Sequence, residues 1–180
     1  MAKWLKMQIG SDSAKSASVS LICLLLLSLF LVSCGGSKDE LYRNEEYGFS
    51  FTRPQTWDIY SPPGGVVGFI ETEENSNANI SIVVEQTGKD VNAYLSSSKQ
   101  GLHLVEGVSV YEEKPLTIAE KDGFELAVVY DLNEQKIRQQ NVIFVDEGNA
   151  YCLVFSAPAD VWHEYEPLFS EMQDSFRLDG

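Results

Sequence analysis

The chain has 180 residues, of which 44% are hydrophobic, 22% charged and 11% aromatic, a composition that excludes disordered and fibrous classes and provides for one ordinary domain. Its formal net charge is −14, and because the first 33 residues carry Lys3, Lys6 and Lys15 against Asp12, the remainder stands at −16. Such a body repels phosphate backbones, so nucleic acid is excluded as a partner and cationic surfaces are selected.

In chain order, the lysines precede an apolar run from Val19 to Val32, broken only by Ser20, Cys23 and Ser28. Charge followed by a short hydrophobic stretch is the layout of a secretory leader. A spanning helix needs about 20 apolar residues, and here Ser33-Cys34-Gly35-Gly36-Ser37-Lys38 turns small and then charged. Leu31-Val32-Ser33-Cys34 resembles the lipobox of bacterial lipoproteins, which implies cleavage after residue 33 and acylation of the Cys34 thiol. Residues 34–40 then form a tether whose reach, to Leu41, is about 25 Å at ~3.5 Å per residue. Two or more acyl chains hold a protein stably on a bilayer, since each buried CH₂ adds about 0.8 kcal/mol.

The folded body is expected over residues 41–178. Phe49-Ser50-Phe51-Thr52 alternates as a strand, with Pro54 and Trp57 closing it and Pro62-Pro63-Gly64-Gly65 turning before the apolar run Val66 to Ile70. After a polar loop, Ile80, Ile82 and Val84 alternate with polar neighbours. The period then changes: behind Asp90 as N-cap, Val91, Tyr94, Leu95, Ser98 and Leu102 lie on one helical face. Strands follow at Val108 to Lys114, Phe124 to Leu132, Ile137 to Val145 and Tyr151 to Phe155. The polar turns between the last three, Asn133-Glu134-Gln135 and Asp146-Glu147-Gly148-Asn149, are short enough to require antiparallel neighbours. A final amphipathic helix carries Trp162, Tyr165, Phe169, Met172 and Phe176, and Pro167 inside it predicts a late start or a kink.

Tyr47-Gly48-Phe49-Ser50-Phe51 with Pro54 and Trp57, then Asn79-Ile80-Ser81-Ile82, Tyr151-Cys152-Leu153-Val154-Phe155-Ser156-Ala157 and Ser175-Phe176, resemble the PsbP-like family over nearly the whole body. The resemblance implies an α+β fold, a central antiparallel sheet flanked by helices on both faces, as in the Mog/PsbP-like α/β/α sandwich. It implies binding and assembly roles without catalytic residues, as in photosystem II extrinsic subunits, DcrB-type envelope lipoproteins and Ran-binding Mog-type proteins. The resemblance to the photosystem subunit does not extend to its long arm ahead of the first strand.

Chemistry-bearing residues are few. The chain offers His103 and His163, neither placed beside a nucleophile in an elbow or triad context, so no catalytic residues are expected. Asp160, His163 and Glu164 give the best constellation for a metal, at helical spacings of three and four. The acids Glu71, Glu73, Glu74 and Asp146, Glu147 offer loop oxygens to calcium without EF-hand spacing. Zinc or calcium is thus the cofactor to test, and none is required. Cys152, in an apolar stretch, reads as a small buried hydrophobe, and Trp57 and Trp162 read as core. The sequence reading is a lipid-anchored, non-enzymatic binding or assembly accessory, on a bacterial cell membrane or outer membrane and facing outside the cytoplasm, with a cationic protein partner. Its alternatives are a photosystem II extrinsic subunit in a phototroph and a small-molecule or metal carrier.

Overall fold

Alternating apolar residues and two-residue turns produce a molecule dominated by antiparallel strands. The structure is a computed structural model that describes residues 39–73 and 76–179. The leader, Cys34, the tether up to residue 38 and Glu74 lie outside the described residues. The elements run β1 (Asp39–Asn44), β2 (Phe49–Pro54), β3 (Asp58–Tyr60), β4 (Val67–Ile70), β5 (Asn79–Gln86), α1 (Val91–His103), β6 (Ser109–Ile118), β7 (Lys121–Leu132), β8 (Gln135–Asp146), β9 (Asn149–Pro158), α2 (Trp162–Ser175) and β10 (Arg177–Leu178).

Among the described residues, seven strands form one antiparallel sheet in the order β3-β4-β5-β9-β8-β7-β6, and β1-β2-β10 form a second. Adjacent residues of a strand face opposite sides, and the two sides are filled differently. Phe144, Leu153 and Phe155 point to the side occupied by α2 and the small sheet, while Ile143 and Cys152 point to α1. The first side is an aromatic core: Phe176 stacks on Phe49 at 5.4 Å and meets Phe144 edge-on at 5.7 Å, while Phe169 packs on Phe155 at 5.1 Å and on Trp162 at 5.2 Å. Each fully buried ring of this kind contributes about 1.5–3 kcal/mol of transfer free energy. The α1 layer is thinner, with Leu95, Leu126 and Ile143 as its buried members.

The sandwich expected from the sequence is therefore present, with differences. The strand at Phe49 belongs to the small sheet, whose partners β1 and β10 carry no apolar alternation strong enough to read. The strand expected to end at Lys114 continues through Pro115 to Ile118; β6 is an edge strand, where proline's missing N–H is tolerated. Helix α2 does not start late: it begins at Trp162 and continues through Pro167 to Ser175. The N–H that proline lacks would have met the carbonyl of His163, an exposed residue, so water can satisfy that oxygen. Asp90 caps α1, its Oδ1 accepting from the Ala93 N–H at 2.9 Å.

Candidate binding cleft

Strand β7 reads Gly123-Phe124-Glu125-Leu126-Ala127-Val128-Val129, and its pleat turns Glu125 to the α2 side. There it is 5% exposed. A carboxylate at that depth must be paired. Directly across the β6–β7 pairing, Lys114 reaches Glu125 Oε1 with Nζ at 2.9 Å, and from β8 Gln140 donates Nε2–H to Oε2 at 2.9 Å. The same amide group lies 3.3 Å from Gln173 Oε1 on α2. The chain Lys114–Glu125–Gln140–Gln173 thus ties the β6 edge to the second helix across a polar floor. The hydrogen bond to the neighbouring carboxylate raises the Lys114 pKa above its ordinary value, so the ammonium persists to higher pH than that of a free lysine.

Beside this floor stands Arg138 of β8. Its guanidinium carbon lies 4.4 Å from the centre of a Trp162 ring and 5.6 Å from that of Tyr111, and the group hydrogen-bonds the Tyr111 phenol. A bulge between Val110 and Glu112 breaks the alternation of β6, and this re-aims Tyr111 over the arginine. Arg138 Nε and Trp162 Nε1 are both buried without a hydrogen-bond partner among the described residues. Arg138 and the polar floor of Lys114, Glu125, Gln140 and Gln173 line a cleft of about 420 Å³ between α2 and the β6–β8 end of the sheet, with Glu112, Glu166 and Asp174 adding carboxylates to its lining. The lining holds amides, carboxylates, a serine, one lysine and one arginine, and neither histidine. Groups of this kind grip and orient a polar ligand.

The opposite layer has a smaller, apolar cleft of about 250 Å³ under α1, lined by Tyr94, Leu102, Leu126, Ile143 and Cys152. Cys152 is half-buried, and desolvation pushes its thiol pKa up to about 12. Tyr94 donates its O–H to Glu85 at 2.7 Å at this layer, and its pKa is likewise raised by burial.

The residues singled out by sequence fall elsewhere. Trp57 and Trp162 are core, 5% and 3% exposed. Asp160 sits in the turn before α2, while His163 and Glu164 are exposed in its first turn; among the described residues no group of three His, Cys, Asp or Glu side chains is placed to hold a metal ion. Asp160 precedes the helix and so does not share its periodicity. Glu71 accepts from the Tyr165 O–H at 2.6 Å, Glu73 is exposed, and Asp146 pairs with Lys121 at 2.6 Å beside the exposed Glu147. His103 ends α1 on the surface. Sequence reasoning missed Glu125, Arg138 and Gln140. A signal was available: a lone acid in an apolar strand, and the polar run Arg138-Gln139-Gln140-Asn141 inside a strand paired on both sides.

The PsbP family model matches residues 40–178. No curated protein matches the chain. Among solved structures, cyanobacterial PsbP (CyanoP) from Synechocystis sp. PCC 6803 is similar with a TM-score of 0.62 and 16% identity, over 82% of this chain and 98% of that one. LpqN of Mycobacterium tuberculosis, described as involved in cell envelope biogenesis, gives 0.56 and 14%, over 79% and 91%. The Ran-binding protein Mog1p of Saccharomyces cerevisiae gives 0.55 and 11%, over 79% and 96%. At these identities the three show a common fold.

Proposed function

Since the chain belongs to the PsbP family, we propose that it is a lipid-anchored, extracytoplasmic binding or assembly accessory that docks a cationic face of an envelope protein complex and makes or breaks no bonds itself. The observation that carries this reading is the acid-rimmed cleft: exposed Glu112, Glu166 and Asp174 flank it on a body of net charge −16. Carboxylates so arranged steer a basic surface toward the cleft and repel anionic ones. The lipobox supports the anchor. With Cys34 acylated, the five residues from it to Asp39 reach at most about 18 Å at ~3.5 Å per residue, and the anchor tethers the domain beside the bilayer. Among the described residues no helix is long and apolar enough to cross a membrane. The involvement of LpqN in cell envelope biogenesis is consistent with the same compartment.

Purification of the full chain from detergent-solubilised membranes tests the docking. A reproducible partner is expected, released by salt and lost when Glu166 and Asp174 are both replaced by Lys; recovery of the chain alone across detergents ends the reading. For the anchor, globomycin is expected to accumulate a larger precursor, and Cys34→Ala to leave the protein unacylated.

A further inference from the structure

The interior of the cleft has a chemistry that docking of a basic surface does not use. Arg138, which lines the cleft, has its Nε buried without an acceptor among the described residues, as has Nε1 of Trp162, the core ring over which its guanidinium sits, and a buried donor left unmet is destabilising. The two groups are neighbours, with the guanidinium carbon 4.4 Å from the indole ring centre, and this contact restricts the arginine's conformational freedom. With the Tyr111 phenol already on the guanidinium, its Nε still lacks an acceptor. Arginine's planar donor set favours a carboxylate. A few side chains away, Glu112, Glu166 and Asp174 supply carboxylates to the same lining, which call for a cation.

The remaining ligand classes fail on these groups. A simple anion satisfies Arg138 but faces three acids. A simple cation suits the acids and is repelled by the Arg138 guanidinium in the same lining. An apolar solute finds amides, carboxylates and charged heads on nearly every wall. A solute with both charges meets each set, and about 420 Å³ lies in the ordinary range for small-ligand sites. We propose that this cleft binds a small zwitterion of the α-amino acid class, its carboxylate on Arg138 and its ammonium between Glu166 and Asp174. Gln173 and Ser170, on the α2 wall, add neutral donors and acceptors suited to the ligand's polar middle. The protein would then carry or sense amino acids at the membrane surface, a role separate from docking.

Calorimetry on the detergent-solubilised full chain tests this with L-alanine, glycine and L-lysine as probes, and propionate and ethylamine as half-ligands. Binding of at least one amino acid is expected, with both half-ligands weaker by tenfold or more, about 1.4 kcal/mol. Arg138→Lys keeps the charge and loses the planar donor set, and is expected to weaken the amino acid at least tenfold. Asp174→Asn, at an exposed position, is expected to weaken it several-fold with an unchanged urea midpoint. No heat from any amino acid at about 10 mM, equal affinity for propionate, or binding indifferent to both substitutions overturns the proposal. A basic protein partner recovered alongside such a result leaves docking standing and removes only the zwitterion.

Discussion

The Lys114–Glu125 pair offers a direct test of whether the cleft is built for stability or for binding. Breaking a fully buried ion pair costs about 3–5 kcal/mol, and breaking an exposed one about 0–1. This pair is asymmetric: the Glu125 side chain is 6% exposed and that of Lys114 52%. Lys114→Met strands the carboxylate with only Gln140 as donor, which places the loss near the middle of that range, at about 2 kcal/mol. Glu125→Leu is milder, about 1 kcal/mol, because a half-exposed ammonium can turn to water and Gln140 keeps Gln173. The double substitution removes both charges and seats an aliphatic side chain at an inward strand position, so it is expected within about 1 kcal/mol of the parent. The coupling from a double-mutant cycle is then about 2–3 kcal/mol. Urea titration at neutral pH with an unchanged slope measures it. Because the pair raises the lysine pKa in the fold, its contribution is complete below the ordinary lysine value and disappears as pH rises past the raised one. Additive single losses, or a double variant as unstable as their sum, would refute the reasoning.

The hairpin between β6 and β7 turns on Ala119 and Glu120, at φ +48° and +62°. Side chains there cost roughly 1–2 kcal/mol, and glycine does not, so Glu120→Gly is expected to stabilise by about 1 kcal/mol and to raise Tm by a few degrees; a lower Tm contradicts the turn geometry. The Cys152 thiol, with its pKa pushed up to about 12, stays protonated in the fold over a range in which the unfolded chain ionises. Its contribution is present below the ordinary thiol pKa and is lost as pH climbs from there toward 12. Thermal melts between pH 8 and 11 are expected to fall less steeply for Cys152→Ala than for the parent, and parallel curves would show that the thiol's surroundings are more polar than the structure indicates.

Much of the fold was legible because its long strands obey their periods. Strands β5, β7, β8 and β9 show either clean alternation or apolar runs bounded by Asn, Glu and Gly turns, and both helices present an apolar stripe. What was not legible depends on contacts between distant segments. Strand β10 has two residues, Arg177 and Leu178, and exists because Phe176 is buried against Phe49 and Phe144, which delivers the following backbone to β2. Strand β1 reads Asp-Glu-Leu-Tyr-Arg-Asn, with Leu41 64% exposed; its pairing with β2 and the seating of the Tyr42 ring on Phe51 at 5.4 Å make it a strand. No local propensity encodes either outcome.

The cleft shows the same limit more sharply. Its members come from β6, β7, β8 and α2, with Glu112 and Asp174 more than sixty residues apart in sequence, and no spacing rule links them. A motif search finds the Asp160, His163 and Glu164 cluster because those residues are neighbours on the chain, yet the turn before α2 separates the first from the helix that carries the others. Glu125 conversely looks like an interruption in a hydrophobic strand. Sheet geometry converts that interruption into a site: a central strand must satisfy any charge it buries from the strands beside it, so the acid recruits Lys114 and Gln140 at fixed distances. The aromatic core on the same face then supplies Trp162 as the ring over which the Arg138 guanidinium sits. A polar residue out of phase with its strand, rather than a cluster in sequence, is therefore the mark by which this sheet reveals where it can bind.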